Sequence, residues 1–240
     1  KYIDEKSLKG LWQSIESFDI DGDGDQDYLL GNWGMNSKYT ASPSQPLRMY
    51  YNDFDKNGDT ETILCTYQNG SYYPLVGLND LSGQLVSLRK KFTTYESFAG
   101  KPITEILTDE ELEKASILDV TELHSGYLRN DKGKFSFVPF EFMLQTAPIT
   151  SFLKYDFNND SKEEVLLGGN YFGVKPYHGR FDSFPGAIIK NTNTILLGNQ
   201  LGLDFMFKSV RDMNIIDFNN QPYLLTTVNN DSVQVYKILR

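Results

Sequence analysis

A nine-residue acidic loop occurs three times in this chain, each time ahead of an apolar run, and that repeat constrains the fold more than any other feature. The first copy reads Asp19-Ile20-Asp21-Gly22-Asp23-Gly24-Asp25-Gln26-Asp27 and runs into Tyr28-Leu29-Leu30. The second, Asp53-Phe54-Asp55-Lys56-Asn57-Gly58-Asp59-Thr60-Glu61, runs into Thr62-Ile63-Leu64. The third, Asp156-Phe157-Asn158-Asn159-Asp160-Ser161-Lys162-Glu163-Glu164, runs into Val165-Leu166-Leu167. Every copy sets oxygen-bearing side chains at loop positions 1, 3, 5 and 9. A fourth relative, Asp217-Phe218-Asn219-Asn220-Gln221-Pro222 ahead of Tyr223-Leu224-Leu225, is three residues shorter, lacks positions 5 and 9, and reads as an empty turn.

The spacing has a chemical use. A tight loop that turns alternate side chains inward can wrap hard oxygens around one Ca²⁺, which takes about six to eight of them at roughly 2.3–2.6 Å, while Gly at position 6 eases the turn. Gly24 and Gly58 supply that glycine, and the third copy has Ser161 instead. Position 7, which is Asp25, Asp59 or Lys162, offers its carbonyl. An EF-hand needs a bidentate Glu at position 12. Here position 12 is Leu30, Leu64 or Leu167, so that motif fails three times and the carboxylate falls at position 9. The expected ligands are therefore Asp19, Asp21, Asp23, Asp25 and Asp27; Asp53, Asp55, Asn57, Asp59 and Glu61; and Asp156, Asn158, Asp160, Lys162 and Glu164, for two to three Ca²⁺ sites. The plainer alternative is a set of Asp/Asn/Gly turns without metal.

Apolar runs flank the loops at residues 14–18 and 28–31, 47–52 and 62–67, 150–155 and 165–168, and 210–216 and 223–228. Short runs of this kind bounded by turn residues predict antiparallel strands in an all-β repeat, best arranged as propeller-like blades. The step from Asp19 to Asp53 is 34 residues and that from Asp53 to Asp156 is 103, so the second gap holds an insertion. Within it Leu81, Leu85, Leu88, Phe92 and Tyr95 recur at helical spacing, predicting one helix started by Asn79 or Asp80. Thr108-Asp109-Glu110-Glu111 predicts a capping box opening a second. The expectation is a single domain over 1–240 with a helical insertion at about 78–116. Segments 126–130 and 134–140 predict a hairpin, and 232–240 alternates like a terminal strand.

Beside the loops, Leu30-Gly31-Asn32-Trp33-Gly34-Met35-Asn36-Ser37-Lys38-Tyr39, Tyr51-Asn52-Asp53-Phe54-Asp55 and Gly168-Gly169-Asn170-Tyr171-Phe172-Gly173-Val174-Lys175-Pro176 carry a resemblance. The chain resembles the FG-GAP/VCBS repeats of β-propellers, including the integrin α-subunit propeller. More narrowly, it is similar to the C-terminal part of VCBS-repeat proteins from gut Bacteroidetes and their relatives. The resemblance covers most of the chain and implies a secreted or surface-anchored protein that uses its blades as a scaffold. At roughly 45–60 residues per blade the chain holds about four, alone or as part of a larger propeller.

The net charge of −9, from 23 Lys+Arg against 32 Asp+Glu, disfavours nucleic acid and anionic membrane surfaces as partners. No apolar run reaches the roughly 18 residues of a membrane-spanning helix. The single cysteine, Cys65, excludes intramolecular disulfides and a thiolate zinc site, and its flanks read as a buried strand. The chain starts at Lys1 without Met or signal sequence, as a mature product or an excised piece of a longer protein does.

Two long connections carry candidate ligand residues: Trp33, Asn36, Lys38 and Tyr39 in 32–46, and Tyr171, Phe172, Tyr177, His178, Arg180 and Asp182 in 171–185. Aromatic faces with amide and charged neighbours suit a sugar ring, although packing of the loops against the strands is the simpler role. For catalysis only His124 and His178 serve as near-neutral bases, with no Ser-His-Asp order, HExxH run or phosphate loop. The expected function is binding or adhesion to a glycan or protein ligand at the cell surface, without catalysis. The alternatives are a carbohydrate-active lyase or hydrolase resting on His178, Arg180 and Asp182, and a purely structural domain of a larger surface lipoprotein.

Overall fold

Alternating apolar residues beside the acidic loops do form strands. In the computed structural model, which describes residues 8–175 and 179–239, β1 (Ser14–Phe18) and β2 (Asp27–Gly31) flank the first loop. β3 (Leu47–Asn52) and β4 (Glu61–Gln68) flank the second, and β5 (Ser71–Pro74) follows. Short helices come next, α1 (Leu78–Gln84), α2 (Leu88–Lys91), α3 (Tyr95–Phe98), α4 (Ile103–Ile106) and α5 (Asp109–Lys114), then β6 (Ser116–Val120). β7 (Gly126–Asp131) and β8 (Lys134–Pro139) make the expected hairpin. β9 (Ile149–Tyr155) and β10 (Glu164–Gly169) flank the third loop, followed by β11 (Ala187–Asn191) and β12 (Thr194–Leu197). β13 (Val210–Phe218), β14 (Gln221–Val228) and β15 (Gln234–Lys237) complete the order. The fourth relative of the loop is a two-residue hairpin turn in which Asn219 and Asn220 both take positive φ, +51° and +60°.

Among the described residues the strands assemble into four antiparallel sheets in the orders β1-β2-β7-β8, β5-β4-β3-β6, β12-β11-β10-β9 and β13-β14-β15, with no closed barrel. The second sheet is made entirely of residues that lie between β2 and β7 of the first. This nesting explains the long second gap in the repeat. Two compact units result, one of Gly10–Lys38 with the chain from Leu123 onward, the other centred on Tyr39–Glu122.

In the larger unit β10 is buried along its whole length because its two faces serve two cores. Val165 and Leu167 pack with Phe18, Leu29, Ile149 and Ala187, whereas Leu166 packs with Ile188, Val210, Met213 and Leu224. Each such side chain contributes about 1.5–3 kcal/mol by leaving water. Close approach fixes two glycines: a Cβ on Gly31 would lie 2.1 Å from the Ile149 carbonyl oxygen, and one on Gly169 2.3 Å from that of Pro148.

In the smaller unit the helices lay Leu81, Leu85, Leu88, Phe92, Ile103 and Ile106 over Tyr50, Ile63 and Cys65. The single helix expected from the 81–95 spacing is broken into three pieces. Leu85 (φ −109°, ψ 90°) ends α1 and Phe92 (φ −121°, ψ 99°) ends α2, while Gly77, and neither Asn79 nor Asp80, stands at the N-cap. The breaks fall beside Val86-Ser87 and Thr93-Thr94, which are weak helix formers, and Thr94 caps α3 instead. Leu81 to Phe92 are buried as the spacing implies, but Tyr95 is 62% exposed. The Thr108 capping box forms, with Thr108 Oγ1 accepting the Glu111 N–H at 3.3 Å and Glu111 Oε2 accepting the Thr108 N–H at 2.6 Å. Cys65 is fully buried, and burial pushes its thiol up to about 12, which suits a packing residue and not a nucleophile. Among the described residues no helix is long and apolar enough to cross a membrane.

Candidate metal centres

The three loops share one hydrogen-bond frame, built by their own side chains. The position-1 carboxylate accepts the N–H of position 6: Gly24 to Asp19 at 3.0 Å, Gly58 to Asp53 at 3.0 Å, and Ser161 to Asp156 at 2.9 Å. Position 5 accepts the N–H of position 7: Asp25 to Asp23 at 2.8 Å, Asp59 to Asn57 at 2.7 Å, and Lys162 to Asp160 at 2.9 Å. Position 9 accepts the N–H of position 2: Ile20 to Asp27 at 3.1 Å, Phe54 to Glu61 at 2.8 Å, and Phe157 to Glu164 at 3.0 Å. A turn this tight has no ladder partner for these donors, so the Asp, Asn and Glu side-chain oxygens satisfy them.

Positions 4 and 6 are left-handed in all three copies: Gly22 and Gly24, Lys56 and Gly58, Asn159 and Ser161. Ser161 holds φ +68°, a conformation that costs a residue with a Cβ about 1 kcal/mol. Ser161→Gly is therefore expected to raise stability by about 0.5–1 kcal/mol in urea denaturation. A loss of stability would contradict strain at this position.

The position-9 carboxylates are the anchors of the frame. Asp27, Glu61 and Glu164 are 0%, 4% and 3% exposed, an environment acidic groups enter only when paired. Asp27 also accepts the Asn130 N–H from β7 at 2.7 Å. The position-2 side chains beside them, Ile20, Phe54 and Phe157, turn into the cores, which directs their N–H groups back at the carboxylates.

In the first two loops three carboxylates converge. Oxygens of Asp19, Asp21 and Asp27 all lie within 4.8 Å of one another, and so do oxygens of Asp53, Asp55 and Glu61. Two oxygens on opposite sides of one Ca²⁺ are about 4.6–5.2 Å apart, so each triplet fits around a single cation. Among the described residues no Lys or Arg pairs with any of these six groups. Desolvation in the crowded loop, then the charges of Asp27 and Asp23, pushes the Asp21 carboxyl above the usual range. An all-oxygen, all-anionic donor set with no nitrogen or sulfur can hold a hard metal ion.

The other expected ligands are placed differently. Asp23 and Asn57 hold the position-7 N–H groups, and Asp25 turns its Oδ2 to the Lys132 N–H at 3.0 Å. In the third loop position 3 is Asn158, so the three-carboxylate set of positions 1, 3 and 9 does not recur there. The Asn158 amide donates to Asp160 Oδ2 at 2.9 Å and to Glu164 Oε1 at 2.7 Å, and the Lys190 ammonium lies 3.0 Å from the same Oε1. The Asn158 amide first, then the Lys162 N–H, holds the Asp160 carboxyl below its usual range. Lys162 thus meets the loop through its backbone.

The long connections pack inward in part. The Trp33 ring lies 5.2 Å from both Tyr171 and Phe181, and Trp33 and Tyr171 rest on the core. Arg211 covers Tyr171 at 4.7 Å, and Arg180 covers Phe172 at 3.8 Å while standing 3.9 Å from Asp182. Asn36 donates to the Thr146 carbonyl at 3.1 Å. Lys38 is exposed and closes the first segment of the larger unit, whereas Tyr39 opens the smaller one. Tyr177 and His178 lie outside the described residues.

Two residues escaped the sequence reading as organising groups. Asn32 and Asn170 are fully buried at the ends of β2 and β10 opposite the acidic loops. Asn170 donates to the Phe184 and Phe205 carbonyls at 2.9 and 2.7 Å and accepts the Phe184 N–H at 3.0 Å. Asn32 donates to the His124 carbonyl at 3.2 Å, and its own carbonyl accepts the Ile149 N–H at 3.1 Å. The signal was the Gly-Asn step that ends both strands, Gly31-Asn32 and Gly169-Asn170. No family model matches the chain, and no curated protein matches it in sequence.

Proposed function

We propose that this chain is a calcium-stabilised extracellular repeat domain of the FG-GAP/VCBS type, with its sheets as blades of a propeller-like array, serving binding or adhesion to a glycan or protein ligand without turnover. The observation that carries the calcium reading is the convergence of three carboxylates in each of two loops built on one frame. Calcium is favoured over magnesium because each loop offers further oxygens, from Asp23 or Asn57 and from the position-7 carbonyl. Magnesium by contrast keeps its waters and takes one or two carboxylates. Both triplets sit at strand-to-strand turns, where a cation would pin the backbone. Sites of this class in extracellular modules fill at roughly 10⁻⁴–10⁻³ M calcium, which fits a secreted or surface setting. The blade arrangement is supported by successive antiparallel sheets and by β10, a strand buried along its whole length between two cores.

Calorimetric titration with Ca²⁺ tests the metal half of this reading, with two bound equivalents expected and none as the outcome that defeats it. For the binding half, a glycan array probed in calcium should retain the protein and release no product on long incubation. Cleavage of a bound polysaccharide would place the chain among enzymes instead.

A further inference from the structure

We propose that Lys190 is a built-in counter-cation that takes the place of a divalent ion in the third loop and keeps metal out of it. The inference rests on the reading of the first two loops as cation sites. All three loops have the same backbone frame; besides Asn158 at position 3 and Ser161 at position 6, what sets the third apart is what faces the buried position-9 carboxylate. At Asp27 and Glu61 the neighbours across the loop are other carboxylates. Glu164 meets the Lys190 ammonium at 3.0 Å, with the Lys190 side chain only 32% exposed and Glu164 itself 3% exposed. An ion pair so far withdrawn from water is little screened by salt.

Both oxygens of Glu164 are occupied by donors. Oε1 receives the Lys190 ammonium and the Asn158 amide, and Oε2 receives the Phe157 N–H. The Asn158 oxygen in turn accepts the Asp160 N–H at 2.8 Å. In the third loop an amide and an ammonium therefore face the position-9 carboxylate, where in the first two loops the groups converging on it are carboxylates. A divalent ion entering here has to expel a tethered ammonium and leave it unpaired, which opposes binding.

Sheet register puts the lysine there. β10 pairs with β11 through Val165↔Ile189, and one antiparallel step further sets Lys190 beside Glu164. The same step in the first sheet, from Tyr28↔Leu128, sets Arg129 beside Asp27. Arg129 is exposed and makes no ion pair with Asp27, whose Oδ1 takes the Asn130 N–H. In the second sheet the β4 and β5 pairing stops at Cys65↔Pro74, so on that side no strand residue stands beside Glu61, and its partner on β3 is the uncharged Asn52. Among the described residues only the third loop receives a cation from its own sheet, and it is expected to keep its shape when calcium is withdrawn.

Bound calcium counted per chain, by equilibrium dialysis and elemental analysis, tests this. The wild-type chain is expected to hold two equivalents, Lys190→Arg also two, and Lys190→Met and Lys190→Gln three, the third being lost again when Asp156→Asn is added. Two neutral variants guard against one that fails to fold, and circular dichroism verifies the fold of each. A wild-type count of three that falls to two in Asp156→Asn overturns the proposal, as does any folded neutral variant without a gain. A wild-type count of zero defeats the reading of the first two loops, and the role of Lys190 is then still decided by whether the neutral variants gain one equivalent.

Discussion

Removing divalent ions with EDTA is expected to lower the melting temperature of this chain by about 10 °C relative to about 10 mM Ca²⁺, a concentration about 100 times a dissociation constant of about 10⁻⁴ M. Each compact unit contains one of the two carboxylate triplets, the larger unit that of Asp19, Asp21 and Asp27, the smaller that of Asp53, Asp55 and Glu61. A ligand present at about 100 times its dissociation constant stabilises the state it binds by about 2.7 kcal/mol. For units of this size, about 4 °C of melting temperature accompanies each kcal/mol. The response should also be separable. Asp19→Ala is expected to abolish the calcium shift of the larger unit and leave that of the smaller one, whereas Asp55→Ala does the reverse. Identical melting in EDTA and in calcium would eliminate a structural metal altogether.

Asp27→Ala should cost about 3 kcal/mol in urea denaturation even with EDTA present, and a further increment of about 2.7 kcal/mol when calcium is supplied. The metal-free part comes from two backbone N–H groups, of Ile20 and Asn130, that lose a charged acceptor inside a fully buried site. Hydrogen bonds to charged groups contribute about 1.5–3 kcal/mol each, and the Ile20 N–H is orphaned in a buried site. Asp217→Ala at the exposed two-residue turn serves as the contrast and is expected to stay within about 0.5 kcal/mol of the wild type. Equal losses at the two positions would contradict the anchoring role of position 9.

The strands beside the loops were legible because both signals are local. Period-two alternation fixes a strand face, and the Asp/Asn/Gly spacing fixes the turn that ends it, so β1 to β4, β9, β10, β13 and β14 fall close to where the sequence places them. The Thr108 capping box was legible for the same reason. The break of the expected helix at Leu85 and Phe92 was not, because apolar spacing survives while the backbone between buried residues departs from helix. Nor does spacing within one loop reveal a partner supplied by another strand. Lys190 follows Glu164 by 26 residues and reaches it only through the register of β10 and β11. In sequence the third loop shares the oxygen spacing of the other two and departs from them at Ser161 and Lys162, but the cation that meets its position-9 carboxylate comes from another strand.

The nested order of the sheets bears on how the protein is made. β2 and β7 are hydrogen-bonded neighbours, yet Gly31 and Gly126 are 95 residues apart, and the whole of the second sheet with its helices is synthesised in between. During that interval the β1–β2 hairpin has an unpaired strand edge, the kind of edge through which chains template on one another. The inner unit can complete its own local contacts first, while the outer one waits on a long-range pairing that is slow to close. A pause in translation or a truncation inside the inner unit would prolong that exposure.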